Sequence, residues 1–178
     1  MIYRLFNTCQ AVCCKLTLFS WLFLFCFLQG CGVYNFSDSS TTAKTFQVNF
    51  FENRASFIEP GIDRTFTNRL QDVIQNQTNL NLVNQAGELV YEGEIVEFRI
   101  QPTTATANQT AAQNRLTITV NVRFTDQNKA ENDFEKRFSF FYDYDGSDQL
   151  VGSLLDQALD EVFDRITQDI FNESLANW

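Results

Sequence analysis

Nucleophiles, general bases and metal ligands are few in this chain: 178 residues include 5 cysteines and no histidine. Without imidazole there is no Ser-His-Asp or Cys-His site, no HExxH zinc site, and no base of the commonest kind near neutral pH. Neither a G-x-G-x-x-G nor a G-x-x-x-x-G-K-[ST] pattern occurs, so no dinucleotide or phosphate cradle is expected. Carboxylates remain. Asp143, Asp145 and Asp148 around Gly146 loosely resemble a calcium loop, but the position that should carry a bidentate glutamate is Leu154. They read instead as a solvated strand-to-helix turn, with acids favoured near a helix N-terminus. Asp156, Asp160, Glu161 and Asp164 likewise read as a solvated helix face. A glycosidase needs two carboxylates about 5 to 10 Å apart across a cleft, and no feature of the sequence selects such a pair. The expectation is no catalytic residue, no metal and no cofactor.

The cysteines point elsewhere. Cys9, Cys13, Cys14 and Cys26 lie in a segment that carries Arg4 and Lys15 but no acid, and Leu16 to Leu28 is a 13-residue apolar run. That is the layout of a secretory signal peptide. As a helix the run spans only about 20 Å, against a hydrocarbon core of roughly 30 Å, which disfavours a transmembrane anchor. Leu28-Gln-Gly-Cys31 resembles the bacterial lipobox, in which the cysteine thiol is acylated and the preceding bond is cut; Gln29 stands where a small residue is usual. Cys31 is therefore the candidate lipidation site, and more than one acyl chain would hold it stably in a bilayer. Gly32 is not the aspartate that resembles an inner-membrane retention signal, which favours the outer membrane. Residues 1–30 are read as signal peptide, 31–43 as a polar, serine-rich tether, and 44–178 as the folded domain.

Length and composition, with 44% apolar residues, suit a single core. Residues 31–178 carry 11 basic and 22 acidic residues, a net charge of -11. Such a surface repels phosphate backbones, and no basic stretch with interleaved aromatics is present, so nucleic-acid binding is not expected.

Periodicity outlines the elements. Phe46, Val48 and Phe50 alternate with polar residues as one face of a strand. Pro60 suits the first turn of a helix of about four turns carrying Ile62, Phe66, Leu70, Val73 and Ile74. Leu80 to Leu82 and Leu89 to Ile100 read as extended, the latter with Val90, Val96, Phe98 and Ile100 on one face. Gln101 to Gln113 is a polar connection. Leu116, Ile118, Val120, Val122 and Phe124 alternate without exception, and Phe134, Phe138, Phe140 and Tyr142 supply a hairpin partner interrupted by Lys136. Gly146-Ser147-Asp148 provides a turn and an N-cap candidate before a long terminal helix whose apolar stripe runs from Val151 to Phe171. Most phenylalanines fall on inward faces; Phe51, Phe57 and Phe141 do not. The order predicts a two-layer α+β sandwich, a mainly antiparallel sheet of about four strands covered by two helices.

Four segments carry a further likeness: Cys31-Gly-Val-Tyr-Asn-Phe36, Val48-Asn-Phe-Phe-Glu-Asn-Arg-Ala55, Asn114-Arg-Leu-Thr-Ile-Thr-Val-Asn-Val-Arg-Phe124, and the ending Asp169-Ile-Phe with Ala176-Asn-Trp178. In this order the chain resembles the LptE family of lipopolysaccharide-assembly lipoproteins over residues 16–178. The resemblance implies the same two-layer sandwich and a non-catalytic role: an outer-membrane plug inside the β-barrel LptD that assists its assembly and the delivery of lipopolysaccharide to the outer leaflet. Some family members also bind lipopolysaccharide through basic residues near a strand-connecting loop. Here the corresponding loop, residues 101–113, has no Lys or Arg, and the nearest cations, Arg115 and Arg123, read as outward-facing strand residues. A periplasmic ligand-binding lipoprotein of unrelated role and a histidine-free carbohydrate enzyme are the competing readings.

Overall fold

The computed structural model describes residues 41–56, 59–103 and 113–176. The leader, Cys31 and most of the tether lie outside them, as do Phe57, the middle of the polar connection and Trp178. In chain order the elements are β1 (Thr45–Val48), β2 (Glu52–Asn53), α1 (Ile62–Gln77), β3 (Asn81–Leu82), β4 (Leu89–Thr103), β5 (Gln113–Asp126), a 3₁₀ turn at Ala130–Asn132, β6 (Phe134–Asp145) and α2 (Ser153–Leu175). One sheet results, ordered β3-β1-β4-β5-β6, with β2 also pairing β4.

The antiparallel part is the hairpin pair predicted from alternation: β5 runs between β4 and β6, and Leu116, Ile118, Val120, Val122 and Phe124 are all buried. The sheet is mixed and larger than the four strands expected. β1 pairs in parallel with both β3 and β4, and β2 pairs in parallel with β4. Strands of two residues, such as β2 and β3, are too short to show a period. Between β3 and β4 the chain crosses β1 on its outward side. There Gly87 lies so close to Gln47 that an added Cβ would sit 2.7 Å from the Gln47 Cβ, so the crossing requires glycine.

Both helices lie on one face. α1 buries Ile62, Phe66, Leu70 and Ile74, and α2 buries Leu155, Leu159, Val162, Phe163, Ile166 and Ile170. The rings of Phe66 and Phe163 meet edge to face at 5.2 Å, joining the two helices above the sheet. Outside the core, Arg69 bridges to Asp160 at 2.8 Å and to Asp164 at 3.1 Å. Tyr91 in the central strand is fully buried, and its hydroxyl pairs with that of Ser174 at 3.0 Å, which satisfies the one polar group such a ring carries inward.

Several expectations about phase are corrected. Phe50 is 55% exposed and the inward residue is Phe51. The register explains why: Val48 faces Tyr91 and Glu52 faces Glu94, so four steps on one strand match three on the other. One extra residue inverts the faces. The Phe51 ring then lies over Gly93, whose missing side chain makes room for it, and meets Phe66 edge to face at 5.1 Å. Thr67 holds this turn by accepting the Phe51 N–H at 3.1 Å while donating to the Asp63 carbonyl.

A second inversion occurs in β4, where the pairing shifts between Ile95 and Glu97. Leu89, Tyr91 and Ile95 are therefore inward before the bulge and Phe98 after it, while Val90 and Val96 are not in the core and Ile100 is 42% exposed. Pro60 precedes α1 and does not enter it, because the helix starts after Gly61, whose φ of 85° only glycine adopts readily. α2 likewise starts after Gly152 at φ 57°, so Asp148 is no cap and Val151 is left 64% exposed outside the stripe. The polar connection is shorter than read, since β4 extends to Thr103 and β5 begins at Gln113.

Candidate functional site

With the helices on one face, the other face of β4, β5 and β6 is uncovered by any described residue. The polar phase of each strand lies here, and the antiparallel register places its charges in complementary rows. Arg123 lies between two acids, donating to Glu92 at 2.9 Å and to Glu135 at 3.3 Å. Asn121 donates to the other oxygen of Glu135 at 3.2 Å. Glu97 accepts from the Thr119 hydroxyl at 2.8 Å and pairs with Arg99 at 2.8 Å. At the far end Arg115 grips Asp143 with two bonds of 2.7 Å, a fork-to-fork pair, and its guanidinium lies 3.7 Å from the centre of the Phe141 ring.

These contacts set the ionisation of the face. Hydrogen bonds from Asn121 and then Arg123 hold the Glu135 carboxyl below the usual carboxylate range. The bond from Arg115 does the same to Asp143, against the opposing effect of burial, and raises Arg115 in return. Arg123 is raised by Glu92 and Glu135. Each group is thereby locked in its charged form. A general acid or base needs the opposite, a proton held loosely near the working pH. Buried Tyr91 is also far from that condition, its hydroxyl pushed well above the ordinary range by desolvation.

The sequence-level candidates are distributed as follows. Arg115 and Arg123 stand on the open face as outward strand residues, each already committed to carboxylates. Asp143 belongs to the Arg115 pair, while Asp145 accepts from the Ser147 backbone and side chain within the turn. Among the described residues no group of three or more His, Cys, Asp or Glu is placed to hold a metal ion. Cys31 lies outside the described residues. The sequence by itself does not mark these polar rows as a site. Their signal was present in Thr117, Thr119, Asn121 and Arg123, the outward half of the alternation.

An open cleft of about 340 Å³ at the β2 side of this face is bordered by Phe50, Arg54, Glu92, Asn121 and Arg123. It is shallow and charged, with Arg54 bridging Glu52 and Glu94 at 3.0 and 3.1 Å. A surface of this kind forms wet, polar contacts with a macromolecule and does not enclose a small apolar ligand.

Comparison with known proteins follows the same line. The family model described as LptE, lipopolysaccharide-assembly, matches residues 43–174. No curated protein sequence matches the chain. Among solved structures, the hypothetical protein CT253 from Chlamydia trachomatis is similar with a TM-score of 0.53 and 12% identity, covering 76% of this chain and 100% of that one. Uncharacterized lipoprotein B from Nitrosomonas europaea has a TM-score of 0.43 and 17% identity, covering 72% of this chain and 79% of that one. Rare lipoprotein B from Shewanella oneidensis has 0.37 and 15%, covering 70% and 92%. The likeness of fold rests on the first of these.

Proposed function

Because the chain belongs to the LptE family of lipopolysaccharide-assembly proteins, we propose that it is a non-catalytic lipoprotein of the outer membrane, anchored through Cys31, which assists an LptD-type β-barrel. The observation that carries this reading is the family match across residues 43–174, the whole of the two-layer domain apart from the end of α2. The open face supports it. A barrel lumen is polar, and a domain that docks inside one needs rows of hydrogen-bonding groups and no apolar belt. The paired rows on β4, β5 and β6 answer that demand, and their locked ionisation suits binding over proton transfer.

In this reading residues 1–30 direct export and are removed, acylated Cys31 inserts in the membrane, and residues 32–43 connect the anchor to the domain. Lipopolysaccharide is the cargo of the assembled pair. Depletion of the protein should lower both the folded barrel and surface lipopolysaccharide, without accumulation of an unconverted substrate. Labelling with a palmitate analogue should mark the wild type and miss Cys31→Ser. Normal surface lipopolysaccharide after full depletion would overturn the assembly role and promote a ligand-binding lipoprotein in its place; equal labelling of Cys31→Ser would overturn the anchor.

A further inference from the structure

Strand β6 ends the sheet, and among the described residues its only strand neighbour is β5. It is 12 residues long, holds its register with β5 from Phe134 to Asp145 without a bulge, and contains no proline or glycine. An edge of this length invites another strand to pair with it unless something blocks the approach. Charge does so towards both ends, with Glu135, Lys136 and Arg137 on one side and Asp143 and Asp145 on the other. Between them Phe138-Ser-Phe-Phe-Tyr142 carries no charge and is rich in aromatic residues, a composition prone to intermolecular strand pairing.

That stretch is where the rings of Phe140 and Phe141 stack, 5.5 Å apart and 18° from parallel. Consecutive strand residues point to opposite faces, so rings this close must meet around the side of the strand. On the β5 side the way is closed, because Phe140 pairs with Ile118 and Phe141 with Thr117. The stack therefore lies over the free edge. A guanidinium holds it from each face. Arg115 of β5, itself fixed by Asp143, lies 3.7 Å from the centre of the Phe141 ring on the open face. Arg165 of α2 lies 5.4 Å from the centre of the Phe140 ring on the helix side. We propose that this stack is an edge guard: it occupies the place of an incoming strand along the uncharged middle of β6 and keeps the chain monomeric. The guard accounts for a phenylalanine left 42% exposed at position 141, and it depends on neither the anchor nor the barrel partner.

The test is analytical ultracentrifugation of the purified full-length protein at matched detergent density over a concentration series. Wild type should be monomeric throughout. Phe141→Thr keeps strand propensity and makes the surface more polar, yet it should self-associate about tenfold or more tightly than wild type, the worth of a few cross-strand pairs. Removing an exposed ring ordinarily has the opposite effect. Phe50→Thr, which removes one from the same face away from the edge, should stay monomeric. Phe141→Lys should stay monomeric as well, since a charge on the edge blocks pairing by other means. A self-associating wild type, a monomeric Phe141→Thr, or a Phe141→Lys or Phe50→Thr variant that associates as Phe141→Thr does would each overturn the proposal. So would loss of the circular dichroism spectrum in Phe141→Thr, because the ring would then hold the fold and not guard the edge. None of these results bears on the family role, which the depletion experiment reads separately.

Discussion

Two adjacent phenylalanines make opposite predictions. Phe51 is fully buried, packed edge to face on Phe66 and seated over Gly93, whereas Phe50 is 55% exposed at the rim of the open-face cleft. Truncating a fully buried phenylalanine costs about 3–5 kcal/mol, from lost transfer free energy plus the cavity left behind. Phe51 belongs at the upper end of that range, because it packs on a helix on one side and on the sheet on the other and neither collapses easily. Surface substitutions cost about 0.5 kcal/mol or less. For a domain of this size each kcal/mol moves Tm by about 4 °C, so Phe51→Ala, at about 4–5 kcal/mol, should lower Tm by about 16–20 °C and Phe50→Ala by no more than about 2 °C. Urea unfolding followed by circular dichroism should show the same gap in midpoint at equal slope. If Phe50→Ala costs as much as Phe51→Ala, the extra residue between Val48 and Glu52 is not where the pairing places it, and the face inversion is wrong.

Val120→Asp puts an unpaired carboxylate at a fully buried position between Leu116 and Phe124 on β5, a cost of several kcal/mol that consumes much of an ordinary domain's stability; the purified variant should be largely unfolded by circular dichroism, and an unchanged melt would mean that the β5 face is misassigned. Asp143→Asn tests the Arg115 pair through pH. The folded Asp143 carboxyl is held below its unfolded value, so the pair's contribution is complete above the ordinary carboxylate range of about 4 and is lost as pH falls through the lower folded value. Both side chains are substantially solvated, which screens the effect; the variant's acid limb in a stability-against-pH series should be slightly flatter than the wild type's, and the two should converge only once pH has fallen below the lowered folded value. A parallel acid limb would show that the pair contributes nothing.

Much of the domain was legible along the chain because its faces are periodic. The uninterrupted alternation of Leu116 to Phe124 admits one inward face, and the spacing of Ile62, Phe66, Leu70, Val73 and Ile74 admits one helix stripe; the strand face is buried throughout, and the stripe is buried except at Val73, which stands at its margin. The absence of histidine and of cofactor motifs needed no structure at all. What the linear pattern could not contain is phase across an inserted residue. Phe50 and Phe51 are the same residue type, and so the choice between them rests on pairing with β4, one step out of register, and on the space that Gly93 leaves. The same holds for Val96, where the bulge in β4 passes the inward face from Ile95 to Phe98. The open face was hidden for a related reason. Thr119, Asn121 and Arg123 read locally as ordinary solvated positions, and their acidic partners Glu92, Glu97 and Glu135 lie 12 to 31 residues away. Only the sheet brings those separated rows within hydrogen-bond distance, since a pair contact across strands is a property of register and register is decided by the packed core.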